Sequence, residues 1–186
     1  MLASAGVEFT TAMPGIDEEA IKAAHLEGAS DHSRARAIAE VLASRKALTV
    51  AQRHAGALVV GSDQILICDG KIFSKAIDEA GARETLCALR RREHELIAAV
   101  VIARDDAVIW KHADSARLTM RDFSDEFLDQ YLTSEIPEVL GSVGCYRIEG
   151  RGAQLFAHVA GDQFSIRGLP LLPLLEALRG FGVLVR

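Results

Sequence analysis

Apolar residues recur along the chain with two different spacings, which predict an alternation of helices and strands. Ala35, Ile38 and Leu42 lie three and four positions apart, a spacing typical of one buried helix face. Acidic residues begin the helical segments at Asp17 and Asp78, Ser124 caps another, and Pro173 begins the last. Helices are predicted at residues 17–27, 31–54 and 78–90, after Ser124, and at residues 173–179.

Shorter apolar runs separated by turn residues predict strands. Asp69-Gly70 and Asp105-Asp106 lie between such runs and indicate hairpin turns. Because hairpins interrupt the alternation of helices and strands, we expect an α/β fold with a mixed sheet, not a purely parallel one. Strands are predicted at residues 57–60, 65–68, 72–73, 94–104, 107–112, 115–120, 145–149 and 154–160.

The composition is that of a globular protein. Apolar residues make up 49% of the 186 positions, enough buried surface to offset the ordering entropy and exclude intrinsic disorder. With 21 Lys+Arg against 26 Asp+Glu the net charge is −5, which argues against a nucleic-acid polymer as partner. Small anions stay compatible with this balance, because a few local lysines and arginines suffice to bind phosphate.

No membrane partner and a cytoplasmic location are expected. The longest apolar run, residues 96–103, has eight residues, whereas a membrane span takes about 20. The first 20 residues lack the pattern of a secretory leader. Three cysteines without a CxxC pair indicate neither a disulfide framework nor a zinc site, and we expect all three to be buried.

The order of apolar and polar positions indicates Asp63 as the strongest candidate for a catalytic residue. The predicted strand at residues 57–60 leads directly to it, and ligands of α/β sheets gather beyond the carboxyl ends of strands. The competing interpretation is a carboxylate that caps a turn. Lys46, on an otherwise apolar helix, and Lys75, after a hairpin, are each more typical of solvated lysines when considered singly.

Six short segments form a pattern when they are considered together and in order. They are Asp17-Glu18, Lys46-Ala47, residues 59–64 (Val-Val-Gly-Ser-Asp-Gln), Lys75 after a hairpin, residues 144–150 (Gly-Cys-Tyr-Arg-Ile-Glu-Gly) and residues 168–171 (Gly-Leu-Pro-Leu). In this order they resemble the Maf family of nucleoside triphosphate pyrophosphatases. The resemblance extends over nearly the whole chain, and a coincidence of six ordered matches in an unrelated α/β domain is the remote alternative.

The resemblance implies a fold, an activity and a cofactor. The fold is a single domain over residues 1–186, with a mixed twisted sheet, flanking helices and two lobes around a cleft, in a protein that forms a homodimer. The implied activity is hydrolysis of a nucleoside triphosphate to a monophosphate and pyrophosphate. The implied cofactor is Mg²⁺ or Mn²⁺.

The resemblance also assigns roles to individual positions. Asp63 matches the catalytic acid, Glu18 an acid near the metal, and Lys46 and Lys75 phosphate-binding lysines. Lysines and a divalent ion neutralise the charge of a triphosphate, and a carboxylate either deprotonates water or holds the metal. Both roles stay open for Asp63, and Glu18 with Asp63 is a suitable pair of oxygen ligands for Mg²⁺. Gln64, next to the acid, is a substrate-binding candidate.

The segment that ends at Glu149 separates subgroups of the family. In the subgroup that acts on thymidine and uridine triphosphates this segment carries Lys and Gln where this chain has Ser142 and Glu149. These differences, with Gln64 in place of Thr, resemble the subgroup that acts on 7-methyl-GTP. A carboxylate accepts hydrogen bonds from guanine N1–H and the amino group, and it favours a cationic base. The alternative is that Glu149 faces solvent and contacts no base.

The amino terminus departs from the family pattern. Family members begin with a strand and a Leu-Ala-Ser-x-Ser-x-x-Arg segment that binds phosphate, whereas residues 1–9 align best after that segment. Either the chain as given starts late, or this member lacks the first strand and its arginine. An exposed sheet edge or a gap is expected as a result. The second hypothesis about function follows from this difference: a catalytically weakened, nucleotide-binding regulator of cell division.

Overall fold

A five-strand sheet forms the centre of the computed structural model, which describes residues 1–25 and 31–185. The strands are β1 (Val59–Cys68), β2 (Lys71–Phe73), β3 (Glu93–Arg104), β4 (Ala107–Met120) and β5 (Phe156–Ala160). Their order across the sheet is β2-β1-β3-β4-β5, and each neighbouring pair is antiparallel. Helices pack on both faces, so the predicted α/β class with flanking helices is confirmed.

The main helices begin at the capping residues that the sequence indicates. The side chains of Asp31, Asp78 and Ser124 each accept a hydrogen bond from the backbone N–H three residues later. The predicted end of the first helix, residues 26 and 27, lies outside the described residues, and α5 was not predicted. The helices are α1 (Glu18–His25), α2 (His32–Ala51), α3 (Glu79–Leu89), α4 (Asp125–Glu135), α5 (Gln163–Ile166) and α6 (Leu171–Gly180).

The two faces of the sheet are covered by different helices. Helix α2 packs against the face to which Ile65 of β1 and Val101 of β3 contribute. Helices α3, α4 and α6 pack against the opposite face, to which Leu66 of β1 and Val100 of β3 contribute. Because successive side chains of a strand point to opposite faces, odd-numbered positions of β1 face α2 and even-numbered positions face away from it.

Strand β1 is continuous where the sequence predicted two strands and a turn. Residues 61–64 (Gly-Ser-Asp-Gln) pair with residues 98–101 of β3 in regular antiparallel register. Asp63 therefore lies inside a strand, and the argument that placed it beyond a strand end was wrong. The turn-capping alternative for Asp63 is excluded as well. Small and polar residues interrupt the apolar run here because Gly61 packs closely against α2 and residues 62–64 border a cleft.

One edge of β1 is only partly paired within the described residues. Strand β2 pairs with β1 only from Leu66 onwards, and among the described residues no strand pairs with the same edge from Val59 to Ile65. Asp63 and Gln64 lie in this part of β1. The cleft described below lies at this position.

Three smaller expectations are corrected or complemented by the structure. Residues 145–149 form turns rather than a strand, and Cys145 has a positive φ of 56°, which a regular strand does not contain. Cys68 and Cys145 are buried, but Cys87 is exposed on α3. Within the part of the chain that the structure describes, no helix combines the length and the apolar character needed to cross a bilayer.

Candidate active site

A cleft of about 280 Å³ opens beside the exposed edge of β1. Five of the six predicted site residues line it: Lys46, Asp63, Gln64, Lys75 and Glu149. The sixth, Glu18 at the start of α1, reaches the same place through an ion pair with Lys46. The structure thus brings together residues that are up to 131 positions apart in the chain (149 − 18 = 131).

Lys46 joins the two predicted acidic residues. Its Nζ lies 2.6 Å from Oδ1 of Asp63, to which it donates a hydrogen bond, and 2.8 Å from Oε1 of Glu18. The Asp63 side chain is only 8% exposed, whereas that of Glu18 is 36% exposed. A cation with two carboxylates around it is therefore the central contact of the cleft, and Asp63 is its most buried member.

Gly61 allows α2 to approach β1 closely enough for this contact. A Cβ atom on Gly61 would lie 2.4 Å from the carbonyl oxygen of Ala43 and 2.8 Å from the backbone N of Ala47. Side chains never approach backbone atoms so closely, so glycine is required at this position. The same turn of α2 carries Lys46, and the small residues on both elements therefore place its ammonium group beside Asp63.

Burial and charge act in opposite directions on the acidic groups. Desolvation by burial raises the pKa of Asp63 and outweighs the contact with Lys46, which lowers it. Burial also acts to raise the pKa of Glu18, but the hydrogen bond and charge of Lys46, with the charges of Lys75 and Lys22, lower it overall. Burial would lower the pKa of Lys46, yet its two carboxylate partners raise it. Lys46 is thus a firmly charged ammonium.

Lys75 provides a second cation at the same end of the cleft. It follows β2, is exposed, and has no ion-pair partner among the described residues. Its charge is near enough to lower the pKa of Glu18. The ammonium of Lys75 is therefore available for an anion that enters the cleft.

Gln64 connects β1 to the opposite wall of the cleft. Its Nε2 donates hydrogen bonds to the carbonyl oxygens of Ser165, at 3.0 Å, and Ile166, at 3.1 Å. Both hydrogens of the amide group are thereby occupied. The side chain lines the cleft as predicted, and its amide nitrogen contacts the carboxyl-terminal end of α5.

The comparison with known proteins agrees with this arrangement. Residues 1–181 match the family model described as Maf-like protein. The chain belongs to the Maf family. A protein of Paramagnetospirillum magneticum that is named nucleoside triphosphate pyrophosphatase is 50% identical over 185 residues, which cover 100% of this chain and 94% of the relative.

Other Maf relatives are similar over almost the same length. A protein of Rhodospirillum rubrum with the name nucleoside triphosphate pyrophosphatase is 47% identical, with 100% of this chain and 90% of the relative covered. A protein of Brucella abortus named 7-methyl-GTP pyrophosphatase is 43% identical, with 96% and 88% covered. The predicted family and the predicted enzyme class are confirmed by these matches.

Sequence reasoning missed two arginines that line the cleft of this Maf protein. Arg147 lies within the quoted segment 144–150, and Arg167 directly precedes Gly168 of the last quoted segment. Nε of Arg167 lies 3.4 Å from Oε1 of Glu149, and Nη2 of Arg147 donates to Glu135 at 3.2 Å. The sequence contains one indication of their role, which is that both arginines lie within or next to the segments that carry the family resemblance.

The residues around Lys46 also fit the predicted divalent ion in their chemistry. Carboxylate oxygens are ligands that Mg²⁺ and Mn²⁺ prefer, and Glu18 and Asp63 both contact one atom of Lys46. No group of three or more acidic, His or Cys side chains with the arrangement of a metal site occurs in residues 1–25 and 31–185. Two carboxylates suit an ion whose other ligands are phosphate oxygens and water.

Proposed function

We propose that this Maf protein hydrolyses a nucleoside triphosphate to a nucleoside monophosphate and pyrophosphate, and that its substrate is 7-methyl-GTP. The observation that carries the proposal is the position of Lys46, whose Nζ contacts Asp63 and Glu18 in a cleft that also holds Lys75. A carboxylate able to activate water and cations able to bind a triphosphate are thus present together.

Asp63 is the group that we propose to activate water. Water attacks the α-phosphorus, the bond from this phosphorus to the oxygen that bridges it to the β-phosphorus breaks, and pyrophosphate leaves with the electron pair. The carboxylate of Asp63 accepts the proton that the water releases. Because burial raises the pKa of Asp63, its carboxylate is a stronger base than an exposed aspartate.

Lys46 and Lys75 supply positive charge for the triphosphate. Negative charge spreads over the phosphate oxygens as the bond breaks, and fixed cations stabilise that charge best where water is partly excluded. Lys46 also orients Asp63 through the hydrogen bond of 2.6 Å. The two lysines come from different elements, so they can hold the chain of phosphates at two points.

Glu18 and Asp63 are the residues that would hold Mg²⁺ or Mn²⁺. A bound divalent ion supplies additional positive charge to the phosphate oxygens. In this arrangement Glu18 is the better ligand for a cation, because its lowered pKa keeps it ionised and its side chain is more exposed.

Glu149 is the residue that we propose to contact the base. It lines the cleft and its side chain is 45% exposed, so its carboxylate is accessible to a ligand. The name of the Brucella abortus relative supports 7-methyl-GTP as substrate. We further propose, from the family resemblance, a cytoplasmic homodimer with residues 1–186 as one domain. Light scattering of the purified protein tests the dimer.

Pyrophosphate release tests the proposed activity. The protein is given 7-methyl-GTP, GTP, dTTP, UTP and CTP separately, each with Mg²⁺ or Mn²⁺. We expect selective turnover of 7-methyl-GTP, and we expect Asp63→Asn to abolish it while Asp106→Asn, in the exposed turn between β3 and β4, leaves it unchanged. Selective turnover of dTTP or UTP would contradict the role of Glu149.

If the protein hydrolyses none of the five nucleotides, the proposed pyrophosphatase activity is contradicted. If the folded protein releases no pyrophosphate from any of the five nucleotides but binds them, the hypothesis of a nucleotide-binding regulator is favoured. Unchanged turnover in Asp63→Asn would instead remove Asp63 from the mechanism.

A further inference from the structure

Arg167 and Glu149 form an ion pair at the wall of the cleft. Nε of Arg167 lies 3.4 Å from Oε1 of Glu149, and both side chains are partly exposed, at 36% and 45%. Neither makes another ion pair or side-chain hydrogen bond among the described residues. A guanidinium has five N–H donors and a carboxylate two acceptor oxygens, so this single contact leaves both groups able to bind a ligand.

The backbone that carries Arg167 is fixed by the residues before it. Gln64 of β1 donates to the carbonyl oxygens of Ser165 and Ile166. The Ser165 hydroxyl lies 2.8 Å from Oδ2 of Asp114, on β4. Arg167 therefore extends from a segment that is attached to two strands of the sheet, which makes its position in the cleft well defined.

The other cations of the cleft have different partners or positions. Lys46 contacts Asp63 and Glu18, and Arg147 donates to Glu135 on α4. Lys75 lies near Glu18, because the positive charge of Lys75 contributes to lowering the pKa of the Glu18 carboxyl. Arg167 is thus the cation that contacts the proposed base-binding residue.

We propose that Arg167 determines base specificity together with Glu149, and that the pair recognises the Watson–Crick edge of guanine. The inference rests on the proposed function. Arg167 presents a donor beside an acceptor, and guanine presents the complementary order: the acceptor O6 followed by the donors N1–H and N2–H. Arg167 donates to O6 while the carboxylate of Glu149 accepts from N1–H and the amino group.

The donor of Arg167 and the acceptors of Glu149 also predict how well the other bases bind. Hypoxanthine keeps O6 and N1–H but lacks the amino group, so it loses one contact. Uracil keeps O4 and N3–H, which match Arg167 and one oxygen of Glu149. Its O2 is an acceptor, however, and faces the second oxygen of Glu149, which is also an acceptor. Adenine and cytosine present an amino donor to Arg167 and a ring acceptor to Glu149, so both contacts are mismatched. The expected order is guanine, hypoxanthine, uracil, and then adenine and cytosine.

The pair recognises guanine rather than its methyl group. The charge of Arg167 offsets that of Glu149, so a cationic 7-methylguanine gains little from this pair over neutral guanine. Replacing Arg167 leaves the charge of Glu149 without this offset, so the preference for 7-methyl-GTP over GTP should increase in Arg167→Met.

The test measures kcat/KM for 7-methyl-GTP, GTP, ITP, UTP and ATP with wild-type protein and the variants Arg167→Met, Arg167→Lys and Arg151→Met. Arg151 is an exposed arginine outside the cleft and serves as the matched control. In Arg167→Met we expect a loss of about ten- to hundredfold for the guanine nucleotides and ITP, and little change for ATP. Lys at position 167 restores part of the loss, because it again donates to O6.

Two outcomes would overturn the inference while the proposed function stands. An equal loss for all five nucleotides in Arg167→Met would mean that Arg167 contacts the triphosphate, which the bases share. No loss for any nucleotide would mean that it contacts only Glu149. A structural role alone would lower the melting temperature without changing the order of the bases.

A binding measurement separates the inference from the proposed function. If wild-type protein hydrolyses none of the nucleotides, calorimetric titration with GMP and AMP replaces the kinetics. Binding of GMP that is tighter than that of AMP and loses this preference in Arg167→Met would support the inference without hydrolysis. Equal binding of the two monophosphates to wild-type protein would overturn it.

Discussion

Asp63 and Gln64 are consecutive residues of β1 whose side chains extend to opposite faces of the sheet. Asp63 accepts a hydrogen bond from Lys46 on α2, and Gln64 donates to carbonyl oxygens at the end of α5. Both nevertheless line one cleft, because no strand of the described residues pairs with the edge of β1 at this point and the cleft extends around it. An edge without a partner strand thus allows two faces of a sheet to contribute to one site.

Replacing Lys46 removes the positive charge between two carboxylates. In Lys46→Met we expect kcat/KM for the preferred nucleotide to fall by about 100-fold or more, since a charge that stabilises the transition state is lost. The pKa of Asp63 should also rise further, so the decline of kcat/KM toward acid begins at a higher pH than in wild-type protein. Arg45→Met, on the neighbouring exposed position, is the control.

The pH profile of pyrophosphate release checks this expectation. In wild-type protein the raised pKa of Asp63 places the acidic decline of kcat/KM above that of an ordinary aspartate. A Lys46→Met profile that declines at the same pH as wild type would show that Lys46 does not act on Asp63.

A side chain at position 61 would separate α2 from β1. In Gly61→Ala the Cβ would lie 2.4 Å from a backbone oxygen that cannot move independently of its helix. We expect the free energy of unfolding to fall by about 1–3 kcal/mol, together with activity, because Lys46 shifts away from Asp63. Gly180→Ala, where the new Cβ meets no atom within 4 Å, should leave both unchanged in urea unfolding and in turnover.

Removing the amide of Gln64 should release the segment that carries Arg167. Gln64→Leu eliminates both hydrogen bonds to the backbone carbonyls and leaves those acceptors without their partner. We expect KM for guanine nucleotides to rise by about tenfold, with a smaller change in kcat. Gln52→Leu at the exposed end of α2 is the control, and equal effects of the two variants would contradict this role.

His94 makes the stability of the fold sensitive to acid. It is 2% exposed, its Nε2 lies 2.7 Å from the hydroxyl of Tyr146, and burial lowers its pKa from 6.5 to about 4. The folded protein holds His94 neutral, whereas the unfolded chain binds a proton below pH 6.5. The free energy of unfolding is therefore not reduced by His94 above pH 6.5. It falls by about 3 kcal/mol as the pH is lowered from 6.5 to 4, because the unfolded chain takes up a proton that the folded protein does not.

Urea unfolding between pH 7 and pH 4 measures this contribution. His94→Gln should reduce the decline of the unfolding free energy over this range, while His158→Gln, an exposed residue of β5, should retain it. The same decline in both variants would show that other groups cause the loss of stability in acid.

Local signals predicted the helices and hairpins well because their physical causes are local. Asp31, Asp78 and Ser124 cap helices through hydrogen bonds to residues three positions away. Asp69 and Gly70 both adopt positive φ, at 48° and 73°, which their positions in a tight hairpin turn require. Such features are encoded within a few residues and need no knowledge of the rest of the fold.

The sequence predicts a break in β1 that the structure does not contain. The small and polar residues at this point are explained by contacts with residues that are distant in sequence. Gly61 and Asp63 resemble the beginning of a turn, but Gly61 is required by α2 and Asp63 by Lys46. The segment around Cys145 and Glu149 was assigned to a strand from a short alternation of apolar residues, whereas its turns form a wall of the cleft. The family pattern predicted residues that line the cleft or contact its lining, whereas Arg167 is recognised only from its contact with Glu149 in the structure.

The hydrogen bonds of Gln64 connect residues 101 and 102 positions apart, and this separation orders the assembly of the cleft during synthesis. A nascent chain that has released β1 to β4 already contains Lys46, Asp63 and Lys75, yet it contains neither Glu149 nor Arg167. The residues that we propose to bind the triphosphate therefore emerge from the ribosome first. Glu149 and Arg167, which we propose to recognise the base, emerge only with the last quarter of the protein.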